Sequence, residues 1–216
     1  MRSITSLTCL MLLATGGTAA AQGPSSVVTA IGFDLITSGI EAAAADSAGI
    51  GSRAWGFQIP VSVTAFRVLS LNADGGILFL SDEQAFTQNT NVGERTSGVS
   101  AGTLAISAGL HTPPISLGGE KPLFVTGGVN AGHNFVNVNR SIAQCRDCHT
   151  EDVEVRAGNF WEGVLQVVPG RGTVTARYRM YGGDSNFRDA LMVGYSVPLR
   201  RPGPRMLEGP PAPKEP

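Results

Sequence analysis

The feature that most constrains this chain lies between Asp152 and Leu199, where apolar and polar side chains alternate through three successive stretches. In the first, Val153, Val155, Ala157, Trp161, Leu165 and Val167 share one parity, against Glu154, Arg156, Gly158, Glu162 and Gln166. After the turn Pro169-Gly170-Arg171-Gly172, Val174, Ala176, Tyr178 and Met180 oppose Thr173, Thr175, Arg177 and Arg179. In the last, Leu191, Val193, Tyr195, Val197 and Leu199 oppose Ala190, Met192, Gly194 and Ser196. Side chains alternate across a strand, so each stretch reads as a strand with one apolar and one polar face. The polar face carries both signs of charge in mid-strand; the apolar face carries almost none. A barrel with its apolar face to lipid and a polar interior produces this pattern.

The same rhythm runs through the rest of the chain. Strands are predicted over 27–37, 53–64, 69–79, 99–110 and 123–136, which with the final three make eight. Trp55, Phe57, Ile59, Val61 and Val63 alternate most cleanly, against Gly56, Gln58, Pro60, Ser62 and Thr64. Pro60 cannot donate to a ladder and implies a bulge or a local break there. Residues 38–52 read as a long Gly/Ala-rich loop and 81–98 as a long polar one. Long connections after the first, third and fifth strands, and short turns after the second and sixth, place the long loops at one end of a barrel. Asp34, Asn72 and Asp74 fall on the polar parity and belong to the predicted interior.

Arg2, the apolar run from Ile4 to Ala14 and the small residues Ala19-Ala20-Ala21 form a secretory signal over 1–21, expected to be cleaved before Gln22. Subtracting those 21 residues from 216 leaves 195, enough for one domain over 22–199; the Pro-rich stretch 200–216 reads as a disordered tail. Without Arg2, 15 of the 16 basic side chains remain against 17 acidic ones, a balance that argues against nucleic acid as a partner. No later stretch is apolar for long enough to be a membrane-crossing helix, so membrane residence requires a closed barrel.

Gly194, Val197 and Leu199 place a glycine and two hydrophobic residues at fixed spacing at the end of the last strand. With the eight-strand rhythm they carry a resemblance: the chain up to Leu199 resembles small bacterial outer-membrane β-barrels of the OmpA-like eight-stranded type. That resemblance implies an all-β, up-and-down antiparallel barrel in the outer membrane, with lipid around it and the barrel-assembly machinery as a partner during biogenesis. It also implies that Gly194, Val197 and Leu199 act as the assembly signal, and that the long outer loops carry a structural, adhesive or recognition role.

Two local groups bear on chemistry. Cys145-Arg146-Asp147-Cys148-His149 matches the C-x-x-C-H attachment signature of c-type haem, with His149 as iron ligand. A disulfide between Cys145 and Cys148 at a loop tip suits the same oxidising compartment and is the preferred reading, with no cofactor. A zinc site would need further ligands, and only His111 and His133 remain; no metal is expected. Glu154, Arg156, Glu162, Arg177 and Arg179 are expected to form a charge network inside the barrel, where mutual neutralisation plugs a narrow lumen. His111, His133 and His149 show no sequence arrangement with a serine that would make a nucleophile, so no enzyme is expected. The competing classes are an exported haem electron carrier and a soluble lipocalin-like barrel with its apolar face inward.

Overall fold

A computed structural model describes residues 27–83, 96–118, 123–143, 148–169 and 172–199. Among them the strands are β1 (Val27–Ile40), β2 (Ile50–Ala65), β3 (Leu69–Asp82), β4 (Thr96–His111), β5 (Ile115–Ser116), β6 (Phe124–Ala143), β7 (Cys148–Val153), β8 (Asn159–Val168), β9 (Thr173–Tyr181) and β10 (Phe187–Pro198). One helix, α1 (Ala42–Ala48), joins β1 to β2. Eight of the strands pair antiparallel in the order β4-β3-β2-β1-β10-β9-β8-β6, and β4 pairs β6 to close the ring. The fold is a closed eight-stranded barrel.

Closure comes with a stagger. A row of paired residues runs Thr29, Val63, Leu71, Ala108, Ala131, Trp161, Met180, Asp189 and returns to β1 at Gly39. The return is ten residues along, since 39 − 29 = 10. Ten residues at ~3.3 Å, over a circumference of eight strands at ~4.8 Å, tilt the strands by ~40° from the barrel axis. Each step along that row therefore climbs ~3 Å towards the α1 end.

The alternation sorts side chains as the sequence implies. Trp55, Phe57, Ile59, Val61 and Val63 all face outward and exposed along β2. Those positions span ~26 Å of strand, ~20 Å of height after tilt, close to the apolar band of a membrane barrel. Inside stand Asp34, Gln58, Asp74, Glu162, Arg177 and Arg179, each buried. A soluble barrel with an apolar interior has the opposite arrangement, so that alternative does not hold. Opposite Pro60 the β1–β2 ladder skips Gly32 and Phe33 and resumes in the same register, a local break without a bulge.

Three differences from the sequence reading have physical causes. The connection 38–52 contains α1 instead of loop alone; its alanines form a helix because Ala45 is buried over the barrel end beside Ile40 and Ile50. The strand predicted to end at 136 continues as β6 to Ala143, with β7 paired against its upper part. The stretch read as one strand from Asp152 is two, because the chain leaves β6 after Val153 and rejoins it at Asn159. Across this break the phase reverses: odd-numbered Val155 is buried within it, and even-numbered Phe160, Glu162 and Val164 below it. Trp161 consequently sits near the outer end of β8 and not in its middle.

An inward and an outward glycine, Gly194 and Gly102, test the packing. A Cβ on Gly194 would lie 1.8 Å from Asp34 Oδ1 and 2.3 Å from the Phe33 carbonyl oxygen, whereas one on Gly102 meets nothing within 4 Å. Gly194→Ala should cost at least ~2 kcal/mol in urea unfolding from lipid vesicles, and Gly102→Ala less than ~0.5 kcal/mol.

Candidate functional site

The lumen has two halves of different chemistry. At mid-height β9 presents Arg177 and Arg179 to carboxylates from three other strands. Arg177 donates through Nη1 to Asp74 Oδ2 at 2.8 Å and through Nη2 to Asp34, and its Nη1 lies 3.5 Å from Glu162 Oε1. Arg179 donates through Nε and Nη2 to Glu162 Oε2, at 3.0 and 2.8 Å, and through Nη2 to Asp74 Oδ2 at 2.9 Å. Its guanidinium carbon also lies 4.0 Å from the centre of the Phe160 ring. Asn130 Nδ2 donates to Glu162 Oε1 at 3.0 Å, and Gln58 Nε2 donates to Asp34 Oδ2 at 3.2 Å. Buried charges survive only when paired and hydrogen-bonded, and here most acceptor positions are filled. Asp74 Oδ1 is the exception, with no hydrogen-bond partner.

Below this cluster the interior is polar and partly open. A cavity of about 40 Å³ is lined by Asp34, Ser62, Asn72, His111, Asn130, Gln166, Arg177 and Ser196, among others. His111 Nε2 lies 2.9 Å from Ser70 Oγ and 3.3 Å from Asn130 Oδ1. The serine–histidine contact was invisible in sequence because the barrel wall, not chain proximity, brings Ser70 and His111 together. Both polar contacts fall on one ring nitrogen, and Ser70 is buried.

Above the cluster the interior turns apolar. Ile36, Ala54, Leu78, Ala101, Val138, Phe187 and Met192 form one buried core with Ala45 of α1. The same inward parity that carries Asp34 and Asp74 lower down carries Ile36 and Leu78 here. Arg140 anchors the top: it donates to the carbonyls of Ala48, the last residue of α1, at 2.8 Å and of its cap Gly49 at 3.1 Å, and to Asp82 Oδ2 at 3.2 Å. Carbonyls at a helix C-terminus lack partners within the helix, and a guanidinium meets that need. The lumen is stoppered at its outer end.

Beyond the stopper, β4, β6 and β7 extend as a sheet past the other strands. Between β7 and α1 lies an open groove of about 630 Å³, lined by Glu41, Ala43, Ala44, Ser47, Asp152, Val153, Glu154, Arg156 and others.

Of the charges expected inside, Glu162, Arg177 and Arg179 meet in the lumen. Glu154 and Arg156 do not: they are exposed at the outer end and pair with each other at 3.1 Å. The phase reversal over 154–158 is the reason, since it turns their neighbour Val155 inward in their place. Cys145 lies outside the described residues. The backbones of Cys148 and His149 open β7, opposite Ala143 and Ile142. Gly194 faces Asp34, while Val197 and Leu199 are exposed on the outer surface. The proposed signal segment and the tail also lie outside the described residues. Among the described residues no group of three or more His, Cys, Asp or Glu side chains is placed to hold a metal ion. On the outer wall His133 Nδ1 lies 2.8 Å from Asn159 Oδ1, and its ring centre is 4.6 Å from that of Phe135. The climb of the rows puts this polar pair near the upper edge of the apolar band.

No protein-family model and no curated protein sequence matches the chain. Among solved structures it is similar to Ail, the attachment invasion locus protein of Yersinia pestis, at 10% identity and a TM-score of 0.45, covering 80% of this chain and 97% of Ail. It is also similar to Neisserial surface protein A, at 12% identity and a TM-score of 0.45, covering 83% of this chain and 100% of that one. The fold assignment rests on this chain's own strand pairing.

Removing one partner from the charge cluster leaves another stranded. Arg179→Met should destabilise the barrel by about 3–5 kcal/mol, because Glu162 loses both of its Arg179 bonds. Adding Glu162→Gln should recover a large part of that loss in a double-mutant cycle of urea unfolding, which a purely steric defect would not allow.

Proposed function

We propose that this protein is a bacterial outer-membrane barrel that acts by recognition at its outer end, without catalysis and without conducting solutes. The observation that carries this reading is the inverted distribution of polarity. Glu162 and Arg179 are essentially inaccessible inside, while Leu71, Trp55 and Trp161 are each more than 60% exposed outside. Such a wall has hydrocarbon as its solvent, and a closed barrel leaves no backbone edge unpaired in it. The outer-half apolar core supports a stoppered lumen in place of a channel. The projecting β6–β7 hairpin, α1 and the groove between them support a role at the cell surface.

The lipid partner follows from the same wall, and the barrel-assembly machinery from the terminal strand with Gly194, Val197 and Leu199. For Cys145 and Cys148 the reading is a disulfide, with no haem and no other cofactor. It is supported by the pairing of Ala143 with Cys148, which brings the chain on either side of Cys145 together.

Three measurements test this reading. The extracted protein should migrate differently in SDS gels when unheated and when boiled, since a membrane barrel resists SDS until heated. Trp55 and Trp161, the two tryptophans, should be quenched by brominated acyl chains and not by aqueous iodide; the reverse would overturn the membrane assignment. Intact mass under denaturing conditions should show both cysteines unavailable to alkylation until a reductant is added. A positive haem stain would overturn the disulfide.

A further inference from the structure

The groove between β7 and α1 has one wall with an uncommon property. β7 pairs β6 along one edge, and no described residue pairs its other edge. Below it, the turn before β10 engages the same side of the chain only from Arg156 onward: Asn186 N donates to the Arg156 carbonyl at 3.0 Å, and Arg156 N donates to Asn186 Oδ1 at 2.7 Å. Among the described residues nothing pairs the outward N–H and C=O groups of Cys148–Val153 above that point. An unpaired strand edge is a template for another strand.

The opposite wall is α1, whose side chains on the groove are Ala43, Ala44, Ser47 and Ala48. Small side chains there leave room for an extended chain. The cavity, about 630 Å³, is in the range of peptide and ligand sites; of β7 it is lined by Asp152 and Val153, and the strand edge continues beyond it to Cys148, ~20 Å in all. The rim charges are unbalanced. Glu154 is paired with Arg156 and Arg140 with Asp82, which leaves Glu41 and Asp152 without a basic partner among the described residues.

We propose that this groove binds an extended, basic peptide segment of another protein, which adds as a strand to β7 opposite α1. The main chain supplies the hydrogen bonds, and basic side chains meet Glu41 and Asp152. This inference rests on the reading of the outer end as a recognition surface, and it names the partner's chemistry.

The test uses the full chain in lipid nanodiscs and a displayed library of random octapeptides, with the selected sequences then synthesised. Selected peptides should carry Lys or Arg at alternate positions and slow amide exchange in residues 148–153. Glu41→Lys with Asp152→Lys should weaken their binding by about tenfold or more, and Ala43→Trp, which fills the groove from an exposed helix position, should abolish it. Each variant must retain the heat-dependent gel shift, which establishes that the barrel is folded. Failure to select any peptide, or peptides that leave 148–153 unprotected, would overturn the proposal. So would protection of 148–153 in the peptide-free protein that disappears when residues 84–95 are replaced by a Gly/Ser linker, since the occupant would then be this chain itself. If the gel shift and the lipid quenching hold while 148–153 stays unprotected, the peptide proposal alone falls and the surface reading stands.

Discussion

The structure depends on the antiparallel pairing of β1 with β10, which joins the two ends of the meander. Until it forms, the sheet has two edges; once formed, every strand of the ring has neighbours on both sides. In hydrocarbon an unpaired backbone group has no solvent to turn to, so closure decides whether the wall can exist there. The ten-residue stagger is part of that closure, because it sets the tilt and therefore which inward residues meet at one height. Asp34, Asp74, Glu162 and Arg177 come from four strands and are brought level by it.

That meeting is electrostatically demanding. Three carboxylates face two guanidinium groups, each of which bonds more than one of them. Such a cluster contributes less to net stability than to uniqueness, since any slip of register would separate the partners and strand charges in a closed space. Gly194 shows how tight the arrangement is: Asp34 occupies the space where a side chain would stand. A position that reads in sequence as part of a terminal assembly pattern is therefore also a packing requirement of the lumen.

Much of the barrel was legible because its signal is local. Period-two alternation is written residue by residue, and it gave the eight strands, their facing and the interior placement of Glu162, Arg177 and Arg179. What was not legible needs partners distant in the chain. The helix over Ala42–Ala48 exists because Ala45 finds a core built from β1, β2, β3 and β10, and a run of alanines does not announce that core. The apolar outer half of the lumen was hidden because Ile36 and Leu78 were read only by parity, while their depth depends on the stagger. Glu154 and Arg156 were misplaced because alternation continues in the letters across 154–158 although the strand does not.

That interruption has a wider consequence. Below it, β8 is locked to its neighbours by the lumen charges; above it, β7 pairs the upper part of β6 and, among the described strands, no other. A residue gained or lost over 154–158 would re-phase the outer hairpin while leaving the transmembrane register untouched. The joint thus separates a cylinder whose register is held from inside the lumen from an outer hairpin whose phase is set on its own, so the problem of closing the barrel is solved independently of what stands above it.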